Sequence, residues 1–178
     1  MQKAIYLVPA EGVDVQILSE LKIQLEKVFG FPCKIEETTE IPLYAFNPKR
    51  NQYLSTAILE SLKIPKDAIG VLGVTNLDLY VPQLRFVFGE ASFSKRVAVI
   101  SLCRLHEEYY GLKGNRLLFE KRAITEAIHE LGHTFGLHHC NNPKCVMYFS
   151  NSIVDTDRKG YNFCDECKEK LHGILEGY

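Results

Sequence analysis

Eleven consecutive residues constrain this chain more than any other feature: His129-Glu130-Leu131-Gly132-His133-Thr134-Phe135-Gly136-Leu137-His138-His139. They contain H-E-x-x-H inside a helical pattern that spans Leu117–Leu137. On a helix, His129 and His133 project about 40° apart and one turn along, so one ion can meet both ring nitrogens at about 2.0–2.1 Å. Glu130 emerges beside the pair, where its carboxylate reaches water and not the ion, the place of a general base. A third ligand has to come from beyond the helix. On a continuing helix His139 would face away by roughly 240°. Gly136 removes that obstacle, because glycine accepts a positive φ, ends the helix and turns the chain back beneath the ion. His139 then fits the spacing H-E-x-x-H-x-x-G-x-x-H, and His138 does not. His138, His106 and His172 read as surface or satisfied histidines.

The rest of the chain supplies a frame for that helix. Ala4–Val8 and Ala68–Asn76 are β-favouring runs suited to buried strands, and Arg85–Phe88 and Arg96–Leu102 read as two more. Asp14–Phe29 carries an apolar stripe at Val15, Leu18, Leu21, Leu25 and Val28 and stops at Gly30. Arg50–Leu62 reads as a second helix and Asp165–Leu175 as a last short one. Cys33–Glu40 is polar enough to be an edge strand or a loop, and Cys140–Asp157 shows no clear period. The expectation is an α/β fold of the α+β kind, a mixed twisted sheet packed on helices. At 178 residues the chain reads as one catalytic domain, 1–178. Its N-terminal lobe, about 1–136, ends with the active-site helix, and a small irregular C-terminal lobe follows over about 137–178. A net charge of −1 removes the footprint of a general nucleic-acid binder, and no apolar run is long enough to span a membrane. The N-terminus is too short in apolar residues for a secretory signal. A monomer in the cytoplasm is expected.

Six cysteines agree with a reducing compartment. Cys33 and Cys103 stand alone. Cys140, Cys145, Cys164 and Cys167 form C-x4-C followed by C-x2-C, which looks like a metal site. The histidine run, these four cysteines and Met147 together resemble the archaemetzincins, a small group within the metzincin zinc peptidases. The resemblance is densest over Ile128–Cys167 and extends through the RFVFGEA segment over most of the chain.

The resemblance implies a metzincin fold and two zinc ions. Catalytic zinc would sit on His129, His133 and His139, with Glu130 as general base and Met147 as the Met-turn floor. Cys140, Cys145, Cys164 and Cys167 would hold a closed, structural zinc, and Cys140, next to His139, would then fix the third histidine. Phe86–Phe93 would be the antiparallel edge strand above the cleft, where Gly89 and Ala91 let a peptide approach by strand addition. An ordinary edge strand with a bulge at Gly89 is the plainer reading. Tyr148 directly follows Met147, one position short of the switchable tyrosine ligand of some metzincins, so that role is not transferred. The expected activity is zinc-dependent hydrolysis of peptides or proteins. The alternative of the same class of fold is a catalytically silent zinc module, against which the intact Glu130 argues. A nucleic-acid-binding zinc ribbon is disfavoured by acidic residues that balance the bases around the cysteines.

Overall fold

A computed structural model describes residues 2–178. Strand β1 (Ala4–Pro9) is buried along its whole length, as an unbroken apolar run requires. Helix α1 (Val15–Phe29) starts at Asp14, whose side chain accepts from the Gln16 N–H, and stops at Gly30. Its inward residues are Ile17, Leu18, Leu21, Leu25 and Phe29, whereas Val15 faces solvent. β2 (Cys33–Ile35) pairs parallel with β1 and forms an edge; the polar residues after it make no strand of comparable length.

Two segments differ from expectation. Arg50–Leu62 is helical only in its second half. After the short β3 (Phe46–Asn47), Asn51 takes a left-handed turn, β4 (Gln52–Leu54) follows, and α2 (Ser55–Ser61) begins there. The strand is tertiary in origin: β4 pairs with β3 and with β6 (Leu79–Tyr80), beyond the long β5 (Ala68–Thr75). Arg85–Phe88 is not a strand either. The Leu84 and Arg85 carbonyls are taken by the Arg50 guanidinium at 2.8 and 2.9 Å, and Gln52 also bonds the Arg85 carbonyl, which leaves no ladder to form. The strand starts four residues later, as β7 (Gly89–Ser92), and turns at Arg96 into β8 (Val97–Ser101).

The main sheet has the order β2-β1-β5-β8-β7, parallel except for β7, which runs antiparallel at the edge. Both faces are covered. Ile5, Leu7, Ile69, Leu72 and Ile100 meet α1 and the long α3 (Arg116–Thr134), and Tyr6, Val71, Val97 and Val99 meet α2. The alternation of strand residues thus feeds two cores, and α3 lies across β8 and β7 and reaches Gly70 of β5 with Leu131 and Thr134.

The C-terminal segment has one helix that sequence periodicity did not reveal, α4 (Ile153–Lys159), before the expected α5 (Asp165–Leu175). Seven residues are too few for an apolar stripe. Its signal is instead the capping box Ser152/Asp155, in which each side chain bonds the other end of the first turn. Phe135, 1% exposed, closes the core between α1 and the C-terminus, 5.2 Å from the Phe29 ring and 5.9 Å from Tyr178. Phe135→Ala is expected to lower stability by about 3–5 kcal/mol in urea denaturation; a loss under about 1 kcal/mol would contradict this packing.

Candidate metal centres

The end of α3 builds the first centre. Gly136 has φ 94°, its N–H donates to the His133 carbonyl at 2.9 Å, and the Leu137 N–H donates to the Gly132 carbonyl at 3.0 Å. This paired closure satisfies the last carbonyls of the helix and reverses the chain. His139 thereby returns to the face that carries His129 and His133. The three ring centroids stand 4.6, 4.7 and 5.4 Å apart, and one ligand atom of each ring lies within 4.8 Å of the others.

The rings are aimed by their far nitrogens. His129 Nδ1 lies 2.7 Å from the Val146 carbonyl, and His133 Nδ1 lies 2.7 Å from the Leu137 carbonyl. A carbonyl only accepts, so both Nδ1 atoms carry hydrogen and both Nε2 atoms keep a lone pair. Burial, with the Lys159 ammonium adding to it, holds His129 well below the imidazole range, and burial takes His133 down to about 4. Both rings are therefore neutral near pH 7. Their Nε2 atoms converge at 3.1 Å, where two lone pairs repel unless a cation lies between them. Zinc with nitrogens at about 2.0–2.1 Å would set them about 3.4 Å apart, so the donor set fits that ion.

Glu130 faces the same cleft, a cavity of about 390 Å³ that also takes in Glu90, Glu126, Phe149 and the three histidines. Burial, reinforced by Glu126, pushes its carboxyl well above the usual carboxylate range. Such a group is suited to take up a proton from water. Gly89 is what makes room for it. A Cβ on Gly89 would stand 2.6 Å from Glu130 Cγ and 2.7 Å from the Val99 carbonyl. The empty side-chain position is thus filled by Glu130, not by a visiting backbone, and the β7–β8 pairing runs through Gly89 without a bulge. Among the described residues no strand pairs with the outer edge of β7. Met147 lies beneath: its Sδ sits 2.6 Å from where a Cβ on Gly132 would be, so the thioether rests on the α3 backbone. Phe149, two residues after Met147, packs on the His139 ring at 5.0 Å.

The second centre adjoins the first. Cys140, Cys145, Cys164 and Cys167 bring their sulfurs within 4.8 Å of one another, with Cys140 and Cys164 3.8 Å apart. Four thiolates at about 2.3 Å from a tetrahedral zinc stand about 3.8 Å apart, so these residues also fit. Cys164 caps α5, and the backbone N–H of Cys167 lowers its thiol pKa, as a helix N-terminus should. The remaining histidines are elsewhere: His138 points to solvent, His106 stacks on Phe119 at 3.9 Å, and His172 faces Glu176.

The model of peptidase family M54 matches residues 10–173. The chain belongs to that family. It is similar to the archaemetzincin of Methanocaldococcus jannaschii, 48% identical over 163 residues that span 92% of this chain and 89% of that protein. Among solved structures it superposes on archaemetzincin from Archaeoglobus fulgidus, complexed with malonate, with TM-score 0.83 and 39% identity. That match covers 94% of this chain and 99% of the other. A zinc-dependent peptidase from Methanocorpusculum labreanum matches with TM-score 0.83 and 32% identity over the same shares. The M54 chain described here is by family a zinc metallopeptidase with a mixed α/β fold.

Family membership leaves the part played by each residue to geometry. The cleft side chains that sequence reading missed are Glu126 and Glu90, the latter accepting hydrogen bonds from Ser55 and Thr56 at the start of α2. Arg122, Glu126 and Glu130 recur every four residues in α3, a buried charged row that was available as a signal. Because the Gly89 position admits no Cβ without moving Glu130 or β8, Gly89→Ala is expected to lower peptide hydrolysis about a hundredfold with unchanged circular dichroism; hydrolysis within about threefold of wild type would contradict the seating of Glu130.

Proposed function

We propose that this chain hydrolyses peptide bonds with one zinc on His129, His133 and His139, Glu130 as general base, and a second, structural zinc on Cys140, Cys145, Cys164 and Cys167. The observation that carries the reading is the convergence of two lone-pair-bearing Nε2 atoms at 3.1 Å beside a buried carboxyl in one cleft. Zinc, when bound, polarises the scissile carbonyl and acidifies water. The residues do the rest. The outer edge of β7 orients an extended peptide by strand addition. Glu130 takes the proton of the attacking water, holds it on a carboxyl made basic by burial, and passes it to the leaving amine. Met147 supports the histidines from below. No side chain forms a covalent bond with substrate.

The silent-module alternative is less favourable on energetic grounds. A buried carboxyl that ligates nothing is costly, and a purely structural site has no use for it. Both centres are built from one chain, so a monomer suffices. Among the described residues no helix is long and apolar enough to cross a membrane. A cluster of four thiols suits a reducing compartment, which supports a cytoplasmic location.

Glu130→Ala tests the reading. Peptide-library hydrolysis is expected to fall roughly 10²–10⁴-fold, while zinc content measured by atomic absorption stays at two per chain. Retention of more than about a tenth of wild-type activity would remove Glu130 as the base.

A further inference from the structure

Helix α3 carries a row of buried charges beyond those the reaction uses. Arg122 and Glu126 are 3% and 2% exposed, about two turns and one turn before Glu130 respectively. Groups of this kind are seldom buried unless paired, and both find their partners in α4. Arg122 grips Asp157 with two bonds of 2.7 and 2.8 Å, and also meets Glu107 at 2.6 Å and the Leu105 carbonyl at 2.9 Å. Glu126 accepts from the Thr156 hydroxyl at 2.9 Å and pairs with Lys159 at 3.4 Å.

Lys159 is the unusual member. Its side chain has no exposed surface at all. The ammonium donates to the Tyr148 carbonyl at 3.2 Å and stands 3.3 Å from His129 Nδ1. That last contact is not a hydrogen bond, because Nδ1 already spends its hydrogen on the Val146 carbonyl at 2.7 Å. Lys159 therefore reaches two pieces of backbone architecture at once. Through Glu126 it is tied to α3 three residues before His129. Through Tyr148 it is tied to the turn that presents Val146, whose carbonyl aims the His129 ring.

We propose that Lys159 and Glu126 form a positioning pair that clamps the Val146–Tyr148 turn onto α3 and so holds the Val146 carbonyl against His129 Nδ1. Lys159 lies behind the cleft and Glu126 on its wall, and neither is one of the three imidazoles that would hold the metal. The pair acts on the ring orientation of one imidazole, and it rests on the assignment of His129 as a zinc ligand made above. Thr156 steadies Glu126, and the Arg122–Asp157 grip keeps α4 in register, so the short α4 is a bracket for the histidine centre. The chemistry of the bracket explains its composition: α4 presents Thr156, Asp157 and Lys159 in succession to a charged helix face, where a seven-residue helix has little apolar surface to offer.

The test uses the zinc-loaded full chain. Lys159→Met alone leaves the Glu126 carboxylate buried and unpaired and is expected to fold poorly. The double variant Glu126→Gln with Lys159→Met removes both charges at similar volume, which buried pairs commonly tolerate. In it, zinc affinity of the histidine centre, measured by chelator competition, is expected to fall about 10–100-fold, with cysteine-bound zinc and helix content retained. The His129 Nδ1 proton, slow to exchange in wild type by proton NMR, is expected to exchange rapidly. Thr156→Val, which deletes only the hydroxyl bond to Glu126, should give a smaller change of about fivefold in the same direction. Wild-type affinity and a protected Nδ1 proton in both variants would overturn the clamp. Failure of the wild-type chain to bind zinc at the histidines would instead overturn the ligand assignment, so the two are distinguishable.

Discussion

The architecture of the cleft depends on one short stretch of backbone, Gly136–Cys140, and on what holds its far end. His129 and His133 are anchored by their own helix and by carbonyls that bond their Nδ1 atoms. Among the described residues His139 has no comparable anchor: its side chain is exposed, and its ring packs against Phe149. Its position is set by the left-handed turn at Gly136 on one side and by Cys140 on the other. The Cys140 N–H donates to the Met147 carbonyl at 3.0 Å, and its sulfur belongs to the four-thiol cluster. A metal clip at that cluster would fix the third imidazole through a single peptide bond, which is the physical reason for two centres to share a boundary.

The same economy of short links recurs on the other side of α3. The helix buries Arg122, Glu126 and His129 against α4 and the Met147 turn, with Glu130 beside them against β7, a polar seam inside an otherwise apolar core. Apolar packing cannot orient an imidazole about its own axis, and hydrogen bonds to fixed carbonyls can. The sheet contributes the remaining wall. β7 brings a residue without a side chain against Glu130, so the carboxyl is pressed between strand and helix where water has little access.

Much of this was legible in the chain itself, and the failures share a cause. The spacing of His129, His133 and His139 with Gly136 predicted the centre because helix geometry and the glycine turn are local properties. Cys140, Cys145, Cys164 and Cys167 were readable for the same reason, although their closure depends on α5 returning to the loop. Arg50–Leu62 misled because β4 exists through pairing with β6, some 26 residues away along the chain, as Tyr53 with Leu79. Arg85–Phe88 has strand composition, yet its carbonyls are claimed by Arg50 and Gln52. Helix α4 has no apolar period to show in the sequence, because its stability comes from a capping box and buried charges.

In the proposed arrangement the cysteine centre preorganises the histidine centre through Cys140. Replacing Cys164 and Cys167 with Ser leaves two thiolates that cannot close a tetrahedron, while every histidine and its carbonyl partner is kept. The decisive measurement is chelator-competition affinity of the histidine-bound zinc in that double variant. A loss of about 10–100-fold is expected, with helix content nearly unchanged, because His139 loses its backbone anchor while His129 and His133 keep theirs. Affinity equal to that of the wild-type chain would contradict it and make the two centres independent neighbours.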